Sequence, residues 1–427
     1  MGTVLIVSFF VMLVCGVPIA LSIGISATIV MLLSNMPLEA LPQTLFSGVN
    51  SFPLVAVPFF ILAGDILAKG GISDRIIAFA EAMVGRIRGG LSVVSVIATM
   101  FVSAISGSGA ATTAAVGSAL LPQLKRKGYD MDFSAALIAS AGTLGVVFPP
   151  SVPMVLFAVV VGVPVSRLFM AGFIPGFLMG GSLIIYAIYA ARKRGYPLGE
   201  QIAPKEKLKR FANALWGLMA PFLILGGIFS GFFTPSEAAA VAVVYSLFVA
   251  IFVYRALDFK STYRLIVNAG VTSALILFII STSRIFAWQL AFYRVPDQIA
   301  NSVLQMTNGN PAMVYLVIVV VILVLGIFME TASALILLTP IFLPVIVGIG
   351  GDLIHFGLVM VVGLAIGMTT PPVAINIFVA SALTGLTLEE ISRRILPMVA
   401  VLIIVLLLIT YVPWFSLALP NFIYGPR

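Results

Sequence analysis

Charge is what this sequence has least of: only 9% of its 427 residues are Asp, Glu, Lys or Arg, whereas a soluble domain carries about 25% and needs them to cover its surface. With 61% of the chain hydrophobic, a water-soluble globule is excluded. A single cysteine, Cys15, sits inside an apolar run and rules out an intrachain disulfide or a Cys-based metal site. A single histidine, His355, leaves a His-rich metal centre or a Ser-His-Asp triad without material. It reads as a small residue at the membrane interface.

Long uncharged stretches are there instead, at 4–31, 168–191, 214–233, 238–254, 315–328 and 396–413. Several reach or exceed the roughly 18 residues that mark a membrane span, so the chain reads as an all-α polytopic membrane protein. The first run has no basic flank and is too long for a signal-peptide core, so it is expected to remain as a first span.

The net charge of +8 is gathered in short clusters between spans, which fits loop topology rather than a nucleic-acid partner. Residues 192–210 hold seven Lys or Arg, the strongest cytoplasmic signal in the chain. Segments 34–51 and 231–236 hold none, whereas 69–88 and 255–264 are basic. This alternation predicts a cytoplasmic N-terminus and an external C-terminus. Segment 91–124 has basic residues on both flanks, at Arg86 with Arg88 and at Lys125 to Lys127, so it is expected to enter and leave on one side as a re-entrant hairpin. Segment 312–348, with flanks poor in Lys and Arg, reads as a second hairpin entering from the other side. In 71–88, Ile72, Ile76, Phe79, Met83 and Ile87 share one helical face, as in an arm lying in the interface.

The two halves repeat. Leu121-Pro122 precedes Pro149-Pro150, and Leu343-Pro344 precedes Pro371-Pro372 with the same spacing, so a shift of 222 residues superimposes both pairs. That register also aligns Gly145 with Gly367 and the break at 106–109 with the break at 328–331. Internal duplication predicts a first repeat over 1–210, a connecting span at 211–235 and a second repeat over 236–427. Each copy has a hairpin (91–124, 312–348) and a broken helix (131–162, 356–382). An odd number of crossings between the copies would invert one against the other, as in secondary transporters.

The chemistry sits at the breaks. Hydroxyls and glycines interrupt the first hairpin in SAISGSGAATT, where an unpaired backbone group in hydrocarbon costs several kcal/mol. Freed carbonyls and Ser or Thr oxygens suit a hard cation such as Na⁺, and the returning helix offers its N-terminus to an anion. Prolines in GTLGVVFPPS and GLAIGMTTPP delete amide donors and release carbonyls in the same way. Glu330 at the second tip is an ionisable group within the membrane and so a functional candidate, with pairing to an Arg as the alternative. Asp65 with Lys69, and Arg284, read as structural ion pairs or snorkelling groups.

The segments ISGSGAATTAAVGSALLPQLKRKGY, GTLGVVFPPSVPMVLFA, FFTPSEAAA, METASALILLTPIFLPV and GMTTPPVAINIFVA together resemble the large membrane subunit of TRAP (tripartite ATP-independent periplasmic) transporters, over about residues 4–420. The resemblance implies a Na⁺-coupled importer of an organic acid such as a C4-dicarboxylate or sialic acid. It would lie in a bacterial or archaeal inner membrane, working as an elevator with a small membrane subunit and a periplasmic substrate-binding protein. It further implies one Na⁺ site at Ser103, Ser106, Gly142, Gly145, Val147 and Pro149, and another at Gly326, Met368, Thr369 and Thr370, largely through main-chain oxygens. Substrate would lie near Ser108, Thr112, Ser151, Glu330 and Asn376. No organic cofactor, transition metal or enzymatic activity is implied. The rival within transport is a two-hairpin carrier that needs no binding protein, but its Ser-Asn-Thr tips are absent here. An intramembrane enzyme lacks catalytic residues, and a channel does not need two opposed hairpins.

Overall fold

The computed structural model describes residues 1–84, 87–199, 202–372 and 374–426. Among these residues there is no strand, and nine helices are long and apolar enough to cross a membrane. The longest, Phe259–Phe292, spans 34 residues, or about 51 Å at 1.5 Å per residue. The chain is a multi-pass membrane protein. The basic flank expected at Arg86 lies outside the described residues.

The expected breaks are present. Helix Gly90–Ser106 ends at Gly107, whose φ of 62° suits glycine, and Gly109–Arg126 begins after an extended Ser108. Helices Pro311–Phe328 and Thr331–Gly348 are separated by extended Met329 and Glu330. Residues 131–161 divide into Met131–Ala141, Leu144–Val147 and Val152–Val161, with the Pro149-Pro150 bond cis. The stretch ahead of the second proline pair is Leu353–Gly367, and Ile375–Thr384 follows it; Pro371-Pro372 is also cis. Helix starts recur at the interval seen in the sequence: Gly109 and Thr331, and Met131 and Leu353, are each 222 residues apart.

Contacts sort the loops onto two faces. On the basic face, the Gly89 amide donates to Pro197 O, Tyr196 Oη donates to Asp130, and Arg394 pairs with Asp132. Tyr254 Oη donates to Asn213 O, which brings the start of Phe259–Phe292 to that face and its far end to the opposite one. There, Ser236 Oγ donates to Phe52 O, and Arg167 donates to Tyr424 O.

This arrangement corrects the reading of 4–31 as one span. The run folds into Gly2–Val14 and Ile19–Leu33, interrupted where Gly16 takes a φ of 81° and Pro18 caps the second helix. Gly2 lies against Val295 and Tyr293, and Ser34 Oγ hydrogen-bonds Tyr293 Oη at 2.7 Å. Both ends of the pair therefore meet the same end of Phe259–Phe292. The helices are antiparallel and too short to cross separately, so the N-terminus lies on the face opposite the basic loops, not with them.

Two other expectations change. The arm forms a helix, Ile72–Val84, but Ile72 and Ile76 are buried, with Ile72 meeting Gly217 of helix Pro204–Phe229. Only Met83 and Ile87 of the predicted apolar face are exposed, because protein covers the rest. His355 is buried rather than interfacial: Nδ1 meets Ser416 Oγ at 2.7 Å and Nε2 meets Thr410 O at 3.1 Å, tying two helices to the chain's last one.

Candidate functional site

The first helix pair brings its tip against the first broken helix through close backbone contacts. A Cβ on Gly145 would stand 2.5 Å from Ser108 O and 2.7 Å from Thr112 Oγ1, and one on Gly142 would collide with Thr113 Oγ1. Gly109 in turn lies beside Gly142 O, Met368 and Asn376 Oδ1. Glycine is needed at these positions because two backbones approach without room for a side chain. Ser108, Gly109, Thr112, Gly142, Gly145, Met368 and Asn376 therefore form one cluster.

Three oxygens in this region are buried without a hydrogen-bond partner among the described residues: Ser103 Oγ, Thr112 Oγ1 and Asn376 Oδ1. Leaving a buried acceptor unmatched costs about 1–3 kcal/mol. Other hydroxyls are engaged. Ser106 Oγ donates to Ser108 O at 3.2 Å and Ser151 Oγ to Val146 O at 2.6 Å. Asn376 Nδ2 donates to Ala139 O at 3.1 Å, linking the second broken helix to the first. Val147 O is turned to Gly172, where a Cβ would stand 2.5 Å from it. Pro149 is the first proline of the cis pair.

The second cluster is held by a backbone crossing. A Cβ on Gly367 would lie 2.5 Å from Gly326 Cα, so Pro311–Phe328 and Leu353–Gly367 touch main chain to main chain. Thr369 and Thr370 both donate to Ile366 O, at 2.8 and 3.0 Å, which leaves their hydroxyl lone pairs available. Met368 O accepts from the Asn376 amide at 3.1 Å, and Met368 Sδ accepts from Thr331 Oγ1 at 2.9 Å. Met368 thus joins both clusters.

A cavity of about 480 Å³ lies between the two tips, lined by Ser106 to Ala111 on one side and Glu330, Ala332 and Ser333 on the other. Glu330 caps its own helix, accepting from the Ala332 and Ser333 amides at 2.9 and 3.2 Å. No Arg pairs with it among the described residues, which leaves the functional alternative standing. Thr112, Ser151 and Asn376 are fully buried behind this cavity rather than lining it.

The structure adds a residue that sequence reasoning set aside. Asp65, on helix Ala56–Lys69, lines the cavity opposite the tips, and no ion pair within 4 Å holds it among the described residues. Its neighbour on the same helix, Gly64, packs against the tip so closely that an added Cβ would stand 2.9 Å from Ser106 O. An acid placed next to a glycine that meets a hairpin tip was the available signal. Arg284 likewise has no ion-pair partner among the described residues; its stem packs on Gly48.

The family model described as the tripartite ATP-independent periplasmic transporter, DctM component, matches residues 6–415. The chain belongs to this family. It is 42% identical to the C4-dicarboxylate TRAP transporter large permease protein DctM of Pseudomonas aeruginosa, over 94% of each chain. It is 41% identical to the isethionate TRAP transporter permease protein DctMQ of Oleidesulfovibrio alaskensis, over 98% of this chain but 65% of that longer one. Among solved structures, the YdaH transporter of Alcanivorax borkumensis shares the fold, with a TM-score of 0.64 and 13% identity over 90% of this chain and 89% of that one. These relatives bear the names of transporters and permeases, not enzymes.

Proposed function

We propose that this TRAP large permease takes up a small organic acid by Na⁺ symport, moving both hairpins and broken helices as an elevator against the remaining helices. The observation that carries this reading is the trio of orphaned buried oxygens, Ser103 Oγ, Thr112 Oγ1 and Asn376 Oδ1, beside two glycine-lined backbone breaks. In the first site Ser103, Ser106, Gly142, Gly145 and Pro149 supply oxygens to Na⁺; Gly326, Met368, Thr369 and Thr370 supply the second. Substrate occupies the cavity between Ser108 and Glu330, with its charge offset by Na⁺ and by the helix N-termini at the tips.

The recurrence of helix boundaries at 222 residues supports two inverted repeats. So does the placement of the first pair's outer ends near the basic face and the second pair's near the other. With the basic face cytoplasmic, both termini are periplasmic in a bacterial inner membrane. A small membrane subunit and a periplasmic binding protein complete the transporter; the additional length of the DctMQ relative is in keeping with such a subunit. Relatives of nearly equal identity named for isethionate and for C4-dicarboxylates support an organic anion as cargo without choosing one.

The test is uptake into proteoliposomes carrying the chain with its small subunit. Accumulation of radiolabelled organic acid is expected only with an inward Na⁺ gradient and added binding protein. Equal accumulation with a K⁺ gradient, or with the binding protein omitted, overturns the reading.

A further inference from the structure

The cavity between the tips is lined by two carboxylates and by no basic side chain. Asp65 and Glu330 both line it, whereas no Lys, Arg or His does among the described residues. Lys69, one turn beyond Asp65 on the same helix, stays outside the lining. Hydrogen-bond donors for an anion must therefore come from main-chain amides and hydroxyls.

Those amides are free in one repeat and taken in the other. Helices Gly109–Arg126 and Val152–Val161 both begin at the cavity, and the amides of Gly109, Ala110 and Val152 have no acceptor among the described residues. The first amides of a helix lack partners within it, and left unclaimed they attract an anion. At the second tip the amides of Ala332 and Ser333, which line the same cavity, are claimed by Glu330. Both bonds go to Oε2, and the Ser333 hydroxyl adds a longer one to the same oxygen at 3.5 Å. Oε1 of Glu330 therefore accepts nothing among the described residues, and Asp65, on a third wall, is equally without a donor.

We infer that the cargo of this cavity is a monoanion with a hydrogen-bond donor at its far end, as in a hydroxy acid, rather than a fully ionised diacid. Its acid group sits at the free amides of Gly109, Ala110 and Val152, and its hydroxyl donates to Glu330 Oε1. The inference rests on the reading of this cavity as the cargo site and adds a choice of chemistry to it. A second carboxylate at the far end would meet Glu330 with no proton between them, and the charge of Asp65 adds to the repulsion. Between membrane helices such like charges are poorly screened, and an unmatched charge rejects a ligand as effectively as a new contact selects one. Losing the hydroxyl is penalised as well, because Oε1 then stays unpaired. Glu330 thus reads the donor, while Asp65 helps to set the charge that the cavity tolerates.

The experiment uses the chain with its small subunit in lipid nanodiscs at pH 7, where carboxyl groups of ordinary pKa are ionised. Affinity is read from the rise in Tm with added γ-hydroxybutyrate, butyrate or succinate in Na⁺ buffer. The hydroxy acid is expected to bind about tenfold more tightly than either of the others. In Glu330→Gln an amide N–H stands in place of Oε1, and the order of γ-hydroxybutyrate and succinate reverses. In Asp65→Asn the gap to succinate narrows about threefold, while Asp65→Glu, which keeps the charge, retains the wild-type gap. Each variant is judged by its own ratio of affinities, so a loss of folded protein common to all ligands cancels. Succinate bound as tightly as γ-hydroxybutyrate by the wild type, or a ratio unmoved in Glu330→Gln, overturns the inference and leaves the cargo site standing. No rise in Tm with any of the three acids removes both. The same order in K⁺ buffer, with no loss of affinity, removes the Na⁺ coupling and still supports the inference.

Discussion

The two tips are built at matching positions and differ in one respect that organises the whole site. Ser108 and Glu330 occupy the same place in the 222-residue register, and each caps the helix that follows it. The serine does so weakly, accepting from Ala111 N at 3.5 Å, and is surrounded by buried hydroxyls, two of them orphaned. The glutamate takes two amides and faces an open cavity. A neutral tip packed against glycines suits a cation stripped of water; a charged, accessible tip suits polar cargo or a cation accompanying it. The duplicated backbone thus carries two different chemistries.

The comparison breaks most readily at the glycines. Gly145→Ala drives a methyl into Ser108 O, and Gly367→Ala drives one into the Gly326 backbone; overpacking of this kind costs about 1–3 kcal/mol. Both variants are expected to insert in the membrane yet lose essentially all uptake in the proteoliposome assay. With the first Na⁺ site lost, Gly145→Ala also shrinks the Na⁺-induced rise in Tm to what the second site supplies. An undiminished rise would show that the backbone approach is structural only.

At the second tip, Glu330→Gln retains an oxygen for the Ala332 and Ser333 amides, while Glu330→Ala removes the cap at a cost of about 1 kcal/mol. A lowered Tm in the Ala variant only, with uptake falling at least tenfold in both, assigns the carboxylate charge to transport. Full uptake in Glu330→Gln reduces the residue to a cap. Asp65→Asn belongs to the same experiment, since Asp65 shares the cavity without a partner. It is expected to raise the half-saturating substrate concentration severalfold while leaving Tm unchanged.

Ser103→Ala sharpens the neutral tip by a smaller effect with opposite signs. It removes a buried hydroxyl that has no partner, worth about 1 kcal/mol of relief. Melting without Na⁺ should therefore shift upward, while the stabilisation added by saturating Na⁺ shrinks. A downward shift in Na⁺-free buffer would mean that Ser103 has a protein partner after all.

Much of this arrangement was legible in the residues because it depends on local backbone rules. Proline pairs cannot continue a helix, and Gly107 with Ser108 cannot hide in one, so the breaks appear where the sequence puts them. What was not legible depends on packing between distant segments. Gly16 and Pro18 marked a break in the first apolar run, but only the meeting of Gly2 and Ser34 with Tyr293 shows the chain doubling back. Asp65 and Lys69 lie one turn apart and invited an ion pair; the close approach of Gly64 to Ser106 instead turns Asp65 to the cavity. Asn376 was legible as a polar group near a proline break, whereas its reach across the repeats to Ala139 was not.

The smallest expected effect lies far from either tip and serves as the reference for both. Asp130, on the basic face, accepts from Arg194 and from Tyr196 Oη. Partial burial raises its pKa, but those hydrogen bonds and the Arg194 charge outweigh it and hold the carboxyl below its usual value. Burial and the same carboxylate push Tyr196 up to about 12. A depressed carboxyl contributes stability that is present above its unfolded pKa, about 3.9, and is lost as pH falls through the folded value. Asp130→Asn should therefore lower Tm slightly at pH 7 and narrow the gap to wild type as pH falls below about 4, with uptake at pH 7 unchanged. A gap that stays constant down to pH 3 would show that the pair contributes packing rather than charge, and a loss of uptake would tie the basic face to the tips.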